Sequence, residues 1–250
     1  MRVFITGASS GIGRALASRY AARGAVLGLV ARREQALRDL AASLPGDHHC
    51  YPLDVRDRNA LHAAARDFLS GGPVDLVIAN AGISTGTLTE ELEDFDAFRA
   101  VLDTNLVAMV ATFEPFIAAM KQAGKGQLAG IASVAGIRGL PGAGAYSASK
   151  AAVIVYCESL RNELSPYGIR VSTIAPGYIR TAMTARNPYP MPFLMDVDTF
   201  AEKAADALDR GVRYTVIPWQ MGIVAKLLRL LPDAVYDHFA VRAPRKPRHR

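Results

Sequence analysis

The sequence is poor in cysteine and in long apolar runs. Only Cys50 and Cys157 carry thiols; they stand far apart, each in an apolar context. They fit buried free thiols, and no CxxC pair or Cys/His spacing suggests a structural metal. No disulfide framework and no metal site are therefore expected, and a reducing compartment, the cytoplasm, fits best. No apolar run approaches the ~20 residues needed to span a bilayer. The first apolar segment, 3–6, meets a glycine turn within a few residues, so no signal peptide is expected. Acid is missing from 242–250, where Arg242, Arg245, Lys246, Arg248 and Arg250 supply nearly all of the formal net charge of +6. The rest of the chain is nearly neutral, which argues against a nucleic-acid-binding surface.

Half of the 250 residues are apolar. A chain of this length buries roughly 75% of its extended surface and needs no covalent staples. Short, continuous apolar segments alternate with helix-like ones from end to end. Strands are expected at 3–6, 25–31, 49–53, 74–79, 127–132, 169–175 and 214–218. Helices are expected at 11–23, 34–44, 59–70, 94–121, 145–166, 198–210 and 219–231. Strands that are apolar throughout fit a sheet covered on both faces. The alternation predicts an α/β fold: one domain, a Rossmann-type doubly wound parallel sheet flanked by helices on both faces. The domain is expected to span 1–241, with a substrate loop and C-terminal helices over 185–231 and a disordered basic tail at 242–250.

The first strand runs into Thr6-Gly7-Ala8-Ser9-Ser10-Gly11-Ile12-Gly13 and then a helix. Glycines let the backbone turn and approach a phosphate. The helix start behind them offers free N–H groups and a positive dipole end to a pyrophosphate. At the end of the second strand, an acid would accept from a ribose 2′-hydroxyl. Here Ala31 is followed by Arg32 and Arg33. A guanidinium fork matches a phosphate, so NADP(H) is expected over NAD(H), with Arg32 as the foremost ligand of the 2′-phosphate.

Tyr146 and Lys150 lie one turn apart on one face of a long helical segment. A nearby ammonium favours the phenolate, which predicts a tyrosine pKa below ~10. Such a tyrosine can exchange the proton that accompanies hydride transfer. Ser133 follows the fifth strand, at the edge where open α/β sheets place their sites, and its hydroxyl can orient a carbonyl oxygen.

With these residues the chain resembles the short-chain dehydrogenase/reductase family in its single-domain form, over about residues 2–184. The markers run in order: the glycine-rich tract, Asp54, Asn80-Ala81-Gly82, Asn105, Ser133, Tyr146-Ser-Ala-Ser-Lys150, then Pro176-Gly177 and Thr181. The resemblance implies that Tyr146 is the general acid/base and that Lys150 lowers its pKa and holds the nicotinamide ribose. It implies that Ser133 positions the carbonyl and that Asn105 anchors a water relaying protons to Lys150. It also implies a cofactor site of Gly7, Ser9, Ser10, Gly11, Ile12 and Gly13 at the pyrophosphate. Asp54 and Val55 would lie at the adenine, Asn80, Ala81 and Gly82 at the ribose, and Pro176, Gly177, Ile179 and Thr181 near the nicotinamide. A homodimer or homotetramer is the family's usual state. From Trp219 onward the chain departs from the short apolar ending of many relatives, so their tetramer packing does not carry over.

The reaction expected is hydride transfer between a nicotinamide and a carbonyl or secondary alcohol. Reduction of a 3-oxoacyl group on a carrier protein is the alternative within enzymes. A second alternative is a reductase of a lipid or sugar precursor held at a membrane surface by the helix near Lys226 and Arg229 and the basic tail. A regulatory protein that only senses nucleotide would lack Tyr146 or Lys150, and both are present. The apolar, proline-rich loop 186–195 is expected to cover the substrate, with 85–89 and 139–144 as further walls.

Overall fold

Apolar segments too short for helices pair side by side, and the helical segments between them cover both sides. The computed structural model describes residues 1–185, 187 and 189–248. In chain order the elements begin β1 (Arg2–Thr6), α1 (Gly11–Ala22), β2 (Val26–Ala31), α2 (Glu34–Ser43), β3 (His49–Pro52) and α3 (Arg58–Ser70). There follow β4 (Leu76–Ala79), α4 (Asp94–Leu102), α5 (Ala108–Ala123), β5 (Gly126–Ile131), α6 (Gly144–Leu164) and β6 (Ile169–Pro176). The last are β7 (Ile179–Arg180), β8 (Met195–Asp196), α7 (Val197–Asp209), β9 (Tyr214–Ile217), α8 (Trp219–Leu230) and α9 (Asp233–Ala240).

Seven strands form one parallel sheet in the order β3-β2-β1-β4-β5-β6-β9. The period of two sends Val3 and Ile5 of β1 to one face and Phe4 to the other. On the first face they pack with Leu16 and Tyr20 of α1, Leu37 of α2 and Phe200 of α7. On the second, Phe4 meets Phe68 of α3 and Phe116 of α5, in a core that also holds Val153 and Cys157 of α6. Each such side chain, removed from water, contributes roughly 1.5–3 kcal/mol. The doubly wound sheet expected from the sequence is thus observed, both cores sharing the one sheet.

Four features differ from the sequence expectation. The single helix over 94–121 is two helices, α4 and α5, joined by a π-helical turn at Asp103–Val107 that contains Asn105. A helix not foreseen, α9, follows α8. The stretch Asp94–Ala123 is long and apolar enough, with mean hydropathy 1.3, to pass as a membrane span, where none was expected. Its apolar side is instead buried in the fold, through Val101, Met109, Phe113 and Phe116.

The fourth difference is the tail. Residues 242–250 were expected to be disordered and solvated; His249 and Arg250 lie outside the described residues. Up to 248 the chain folds back on the body. Gly86 N donates to Pro247 O at 3.0 Å, and Gly86 bridges Arg248 as a parallel pair. Arg248 pairs with Asp94 at 2.8 Å and Glu91 at 3.0 Å. Of the charges read as a solvated run, Arg248 finds two carboxylates at the start of α4 and just before it, and Lys246 donates to Ser84, which ties the segment down.

Candidate active site

The strand order reverses between β1 and β4, where the loops leaving the two strands part and open a crevice at their carboxyl ends. A cleft of about 730 Å³ lies there. Its floor is the glycine turn. Gly13 can only be glycine, because a Cβ there would lie 2.3 Å from the Gly7 carbonyl oxygen and 2.5 Å from Asn80 Nδ2. That absence brings helix α1 against the turn. Ser10 precedes α1 in extended backbone and its side chain does not cap the helix, so the first-turn N–H groups stay available. Thr6 and Asn80 staple the turn to β4: Thr6 Oγ1 accepts from Asn80 N (3.1 Å) and Ala81 N (3.2 Å), and Asn80 Nδ2 donates to Thr6 O (3.0 Å). Gly7, Ser9, Ser10, Gly11 and Ile12 line the cleft, as do Asn80, Ala81 and Gly82. Gly13 sits behind them, and the role visible for Asn80 is to shape the loop.

At the far end Arg32, Arg33, Asp54 and Val55 line the cleft, joined by Arg56. Sequence reasoning missed Arg56, which follows β3, where the rule for ribose recognition does not look. Arg56 Nη2 holds Asp54 Oδ2 at 2.7 Å, and that hydrogen bond keeps the carboxyl below the usual carboxylate range. Arg33 Nη2 donates to Ser9 O (3.2 Å) and Ser9 Oγ (3.1 Å), bracing the glycine turn. Arg32 forms no ion pair among the described residues. This end of the cleft therefore has three guanidinium groups to one carboxylate.

At the near end α6 starts with Tyr146 and Lys150 in its first two turns, and both line the cleft with Ser133. Ser133 opens a short turn after β5 and its Oγ accepts from Ala135 N at 3.2 Å. Lys150 is buried; its Nζ donates to Ile131 O at 2.8 Å and lies 5.8 Å from the centre of the Tyr146 ring. Burial lowers the ammonium's pKa to about 8. Against the lowering expected from Lys150, burial pushes the Tyr146 phenol up, with the Ser133 hydroxyl beside it working the other way. The ammonium is turned to a carbonyl, and desolvation of the phenolate wins.

Asn105, fully buried in the π turn, has a different visible task from anchoring a water. Its Oδ1 accepts from Ile83 N (2.8 Å), and its Nδ2 donates to Ile83 O (3.0 Å) and Ser149 Oγ (3.0 Å). It clamps the loop after β4 to α6, one residue from Lys150. Such bulges recur at functional sites because they re-aim a side chain.

Pro176, Gly177, Ile179 and Thr181 complete the lining beyond β6. The loop expected to cover the substrate leaves and rejoins the body through the β7–β8 pair. Within the expected segment 186–195, Arg186 and Pro188 lie outside the described residues. Tyr189 stacks at a tilt on Tyr178, ring centres 6.4 Å apart. The two other expected walls touch, Thr87 N donating to Gly142 O at 3.1 Å.

Residues 1–190 match the short chain dehydrogenase family. An uncharacterized oxidoreductase of Myxococcus xanthus is 38% identical over 243 residues, 95% of each chain. A short-chain dehydrogenase from Sphingobium yanoikuyae, solved in complex with NADPH, superposes with a TM-score of 0.80 at 28% identity, covering 97% of this chain and 96% of that one. A 3-oxoacyl-[acyl-carrier protein] reductase with bound NAD from Brucella melitensis superposes with a TM-score of 0.76 at 30% identity, covering 86% of this chain and 88% of that one. The sheet order and these likenesses agree: the chain belongs to the short-chain dehydrogenase/reductase family and is an oxidoreductase.

Proposed function

We propose that this chain is an NADP(H)-preferring oxidoreductase that moves a hydride between a nicotinamide and a carbonyl or secondary alcohol. The observation that carries the reading is one continuous cleft with three arginines at one end and Tyr146, Lys150 and Ser133 at the other. The cleft fits such a cofactor: the glycine turn leaves a cradle that a Cβ at Gly13 would fill, with uncapped helix N–H groups facing it. Arg32, with Arg33 and Arg56 beside it, would hold the 2′-phosphate, and Asp54 and Val55 would border the adenine. Asn80, Ala81 and Gly82 would flank the ribose; Pro176, Gly177, Ile179 and Thr181 would wall the nicotinamide end. One neighbour carries NADPH and another NAD, so the preference rests on this chain's own arginines.

Bound there, the dihydronicotinamide supplies the hydride. Ser133 donates to the carbonyl oxygen and holds it toward Tyr146. The Tyr146 hydroxyl gives its proton to that oxygen as the carbon is reduced; in the reverse direction it accepts it. Burial favours the protonated phenol, the form that donates the proton in the reducing direction. Lys150 places a positive charge beside the phenol as negative charge develops. Free thiols at Cys50 and Cys157 suit a cytoplasmic setting. The exposed apolar side chains of α8 and α9 suit a homodimer.

The test pairs NADPH and NADH fluorescence titrations with a carbonyl screen that includes a 3-oxoacyl thioester. Tyr146→Phe should abolish turnover yet bind NADPH within a few-fold of the parent. Arg32→Ala should weaken NADPH much more than NADH. Turnover that survives Tyr146→Phe, or equal losses for the two cofactors with Arg32→Ala, would sink the corresponding assignment.

A further inference from the structure

We infer that Lys246 is an anion-binding residue of the substrate pocket, selecting carbonyl substrates that carry a carboxylate or phosphate a few bonds from the reacting carbon. The inference rests on the hydride-transfer reading above and names the substrate class for that site.

The C-terminal strap brings Lys246 to the catalytic tyrosine. Its Nζ lies 5.7 Å from the centre of the Tyr146 ring, as close as Lys150 at 5.8 Å. The ammonium donates to Ser84 Oγ at 2.6 Å, on the loop after β4. An ammonium has three donors, and among the described residues no carboxylate pairs with this one. The side chain is half-buried, and burial lowers its pKa. Next to Ser84, the Thr85 hydroxyl is buried without a partner among the described residues. A partly desolvated cation near the reacting tyrosine, with no carboxylate beside it, is costly unless an anion joins it.

The placement is built in. Gly86 admits the strap: a Cβ there would lie 2.3 Å from Lys246 O. Two residues on, Arg248 is held by Asp94 and Glu91. Asp94 is itself fixed, accepting from Leu88 N at 2.8 Å. The backbone at residue 246 is thus held against Gly86 and, two residues on, by Arg248, while the Arg245 side chain lies against Gly142.

The full chain is first saturated with NADP+, so that the arginine end is filled. It is then titrated calorimetrically with acetate, with inorganic phosphate and, as a neutral control, with methyl acetate. At least one anion should bind; the two arms tell carboxylate from phosphate. Lys246→Met, which keeps the apolar stem, should weaken that binding about tenfold or more, and Lys246→Arg should restore it to within a few-fold. Binding of neither anion, or binding that survives Lys246→Met, overturns the inference. In turnover, the ratio of kcat/KM for acetoacetate to that for methyl acetoacetate should fall about tenfold in Lys246→Met, through KM. An unchanged ratio, with both substrates still reduced in a Tyr146-dependent way, sinks Lys246 and leaves the hydride-transfer reading standing. Absence of any carbonyl reduction sinks the latter, while the calorimetry still decides Lys246.

Discussion

Tyr146 and Lys150 titrate in opposite directions for one reason, the loss of water around each. The phenol is pushed above its ordinary value and the ammonium is pulled down to about 8. The sign of the resulting pH dependence follows. As pH rises through about 8 the ammonium is lost while Tyr146 stays protonated. The alkaline limb of the reduction rate should therefore belong to Lys150, and kcat/KM for NADPH, which reports the free enzyme, should fall above pH about 8. Lys150→Arg, whose guanidinium does not deprotonate, should shift that limb upward in whatever activity remains. A limb that stays in place assigns it to another group. Asn105 calls for a different measurement because its three hydrogen bonds hold the Ile83 main chain and Ser149. Asn105→Ala orphans those groups, at about 1–3 kcal/mol each, so stability should fall by at least about 2 kcal/mol and Tm by roughly 4 °C or more. Loss of turnover with an unchanged Tm would return Asn105 to a purely relaying role.

At the scale of elements, legibility followed sequence separation. The strands show as short apolar runs, and the glycine turn and the Tyr146–Lys150 pair depend on residues within a few positions of each other. The π turn around Asn105 was missed because its composition is that of the helices it joins. Arg56 was missed because it reaches the arginine-lined end of the cleft from a third strand rather than the second. The strap could not be read at all: its charges suggest solvent until Asp94, 154 residues away, is brought beside Arg248. That pairing makes the strap testable as an element. Gly86→Val inserts atoms where the Lys246 carbonyl lies, and Arg248→Ala removes the anchor. Each should lower the acetoacetate-to-ester ratio in the same direction as Lys246→Met, while NADPH affinity stays within a few-fold. Asp94 is held below the usual carboxylate range, first by the Leu88 N–H and then by Arg248. Its contribution is present above the ordinary carboxylate pKa and lost only as pH falls through that lowered value, so the strap stays anchored at neutral pH. A variant pair that leaves the ratio unchanged would show that Lys246 reaches the site without the anchor.

At the scale of the whole molecule, the unanswered surface is the one formed by α8 and α9. Trp219, Ile223, Leu227 and Leu230 recur at helical spacing on α8 and are exposed, Leu230 at 79%, and Phe239 on α9 is exposed at 68%. Exposed apolar clusters of this kind mark contact sites. An anionic lipid surface would want a uniformly basic rim. The rim here is mixed: Lys226 and Arg229 stand on α8 and Asp237 on α9, where Asp233 already pairs with Arg138 at 2.9 Å. The inward turn of Lys246 and Arg248 removes two of the tail's positive charges from the surface. A face with both signs on adjacent helices is complementary to itself across a two-fold axis, where the basic residues of one copy meet the acidic residues of the other. A second copy of this chain is therefore the occupant we expect. Sedimentation equilibrium over a concentration series should show a dimer, and the double variant Leu227→Glu with Phe239→Glu should dissociate it at least tenfold more readily. Vesicles containing phosphatidylglycerol should leave the protein in the unbound fraction. A wild-type chain that stays monomeric and floats with the vesicles would reverse the assignment, because the same apolar stripe would then be covered by lipid.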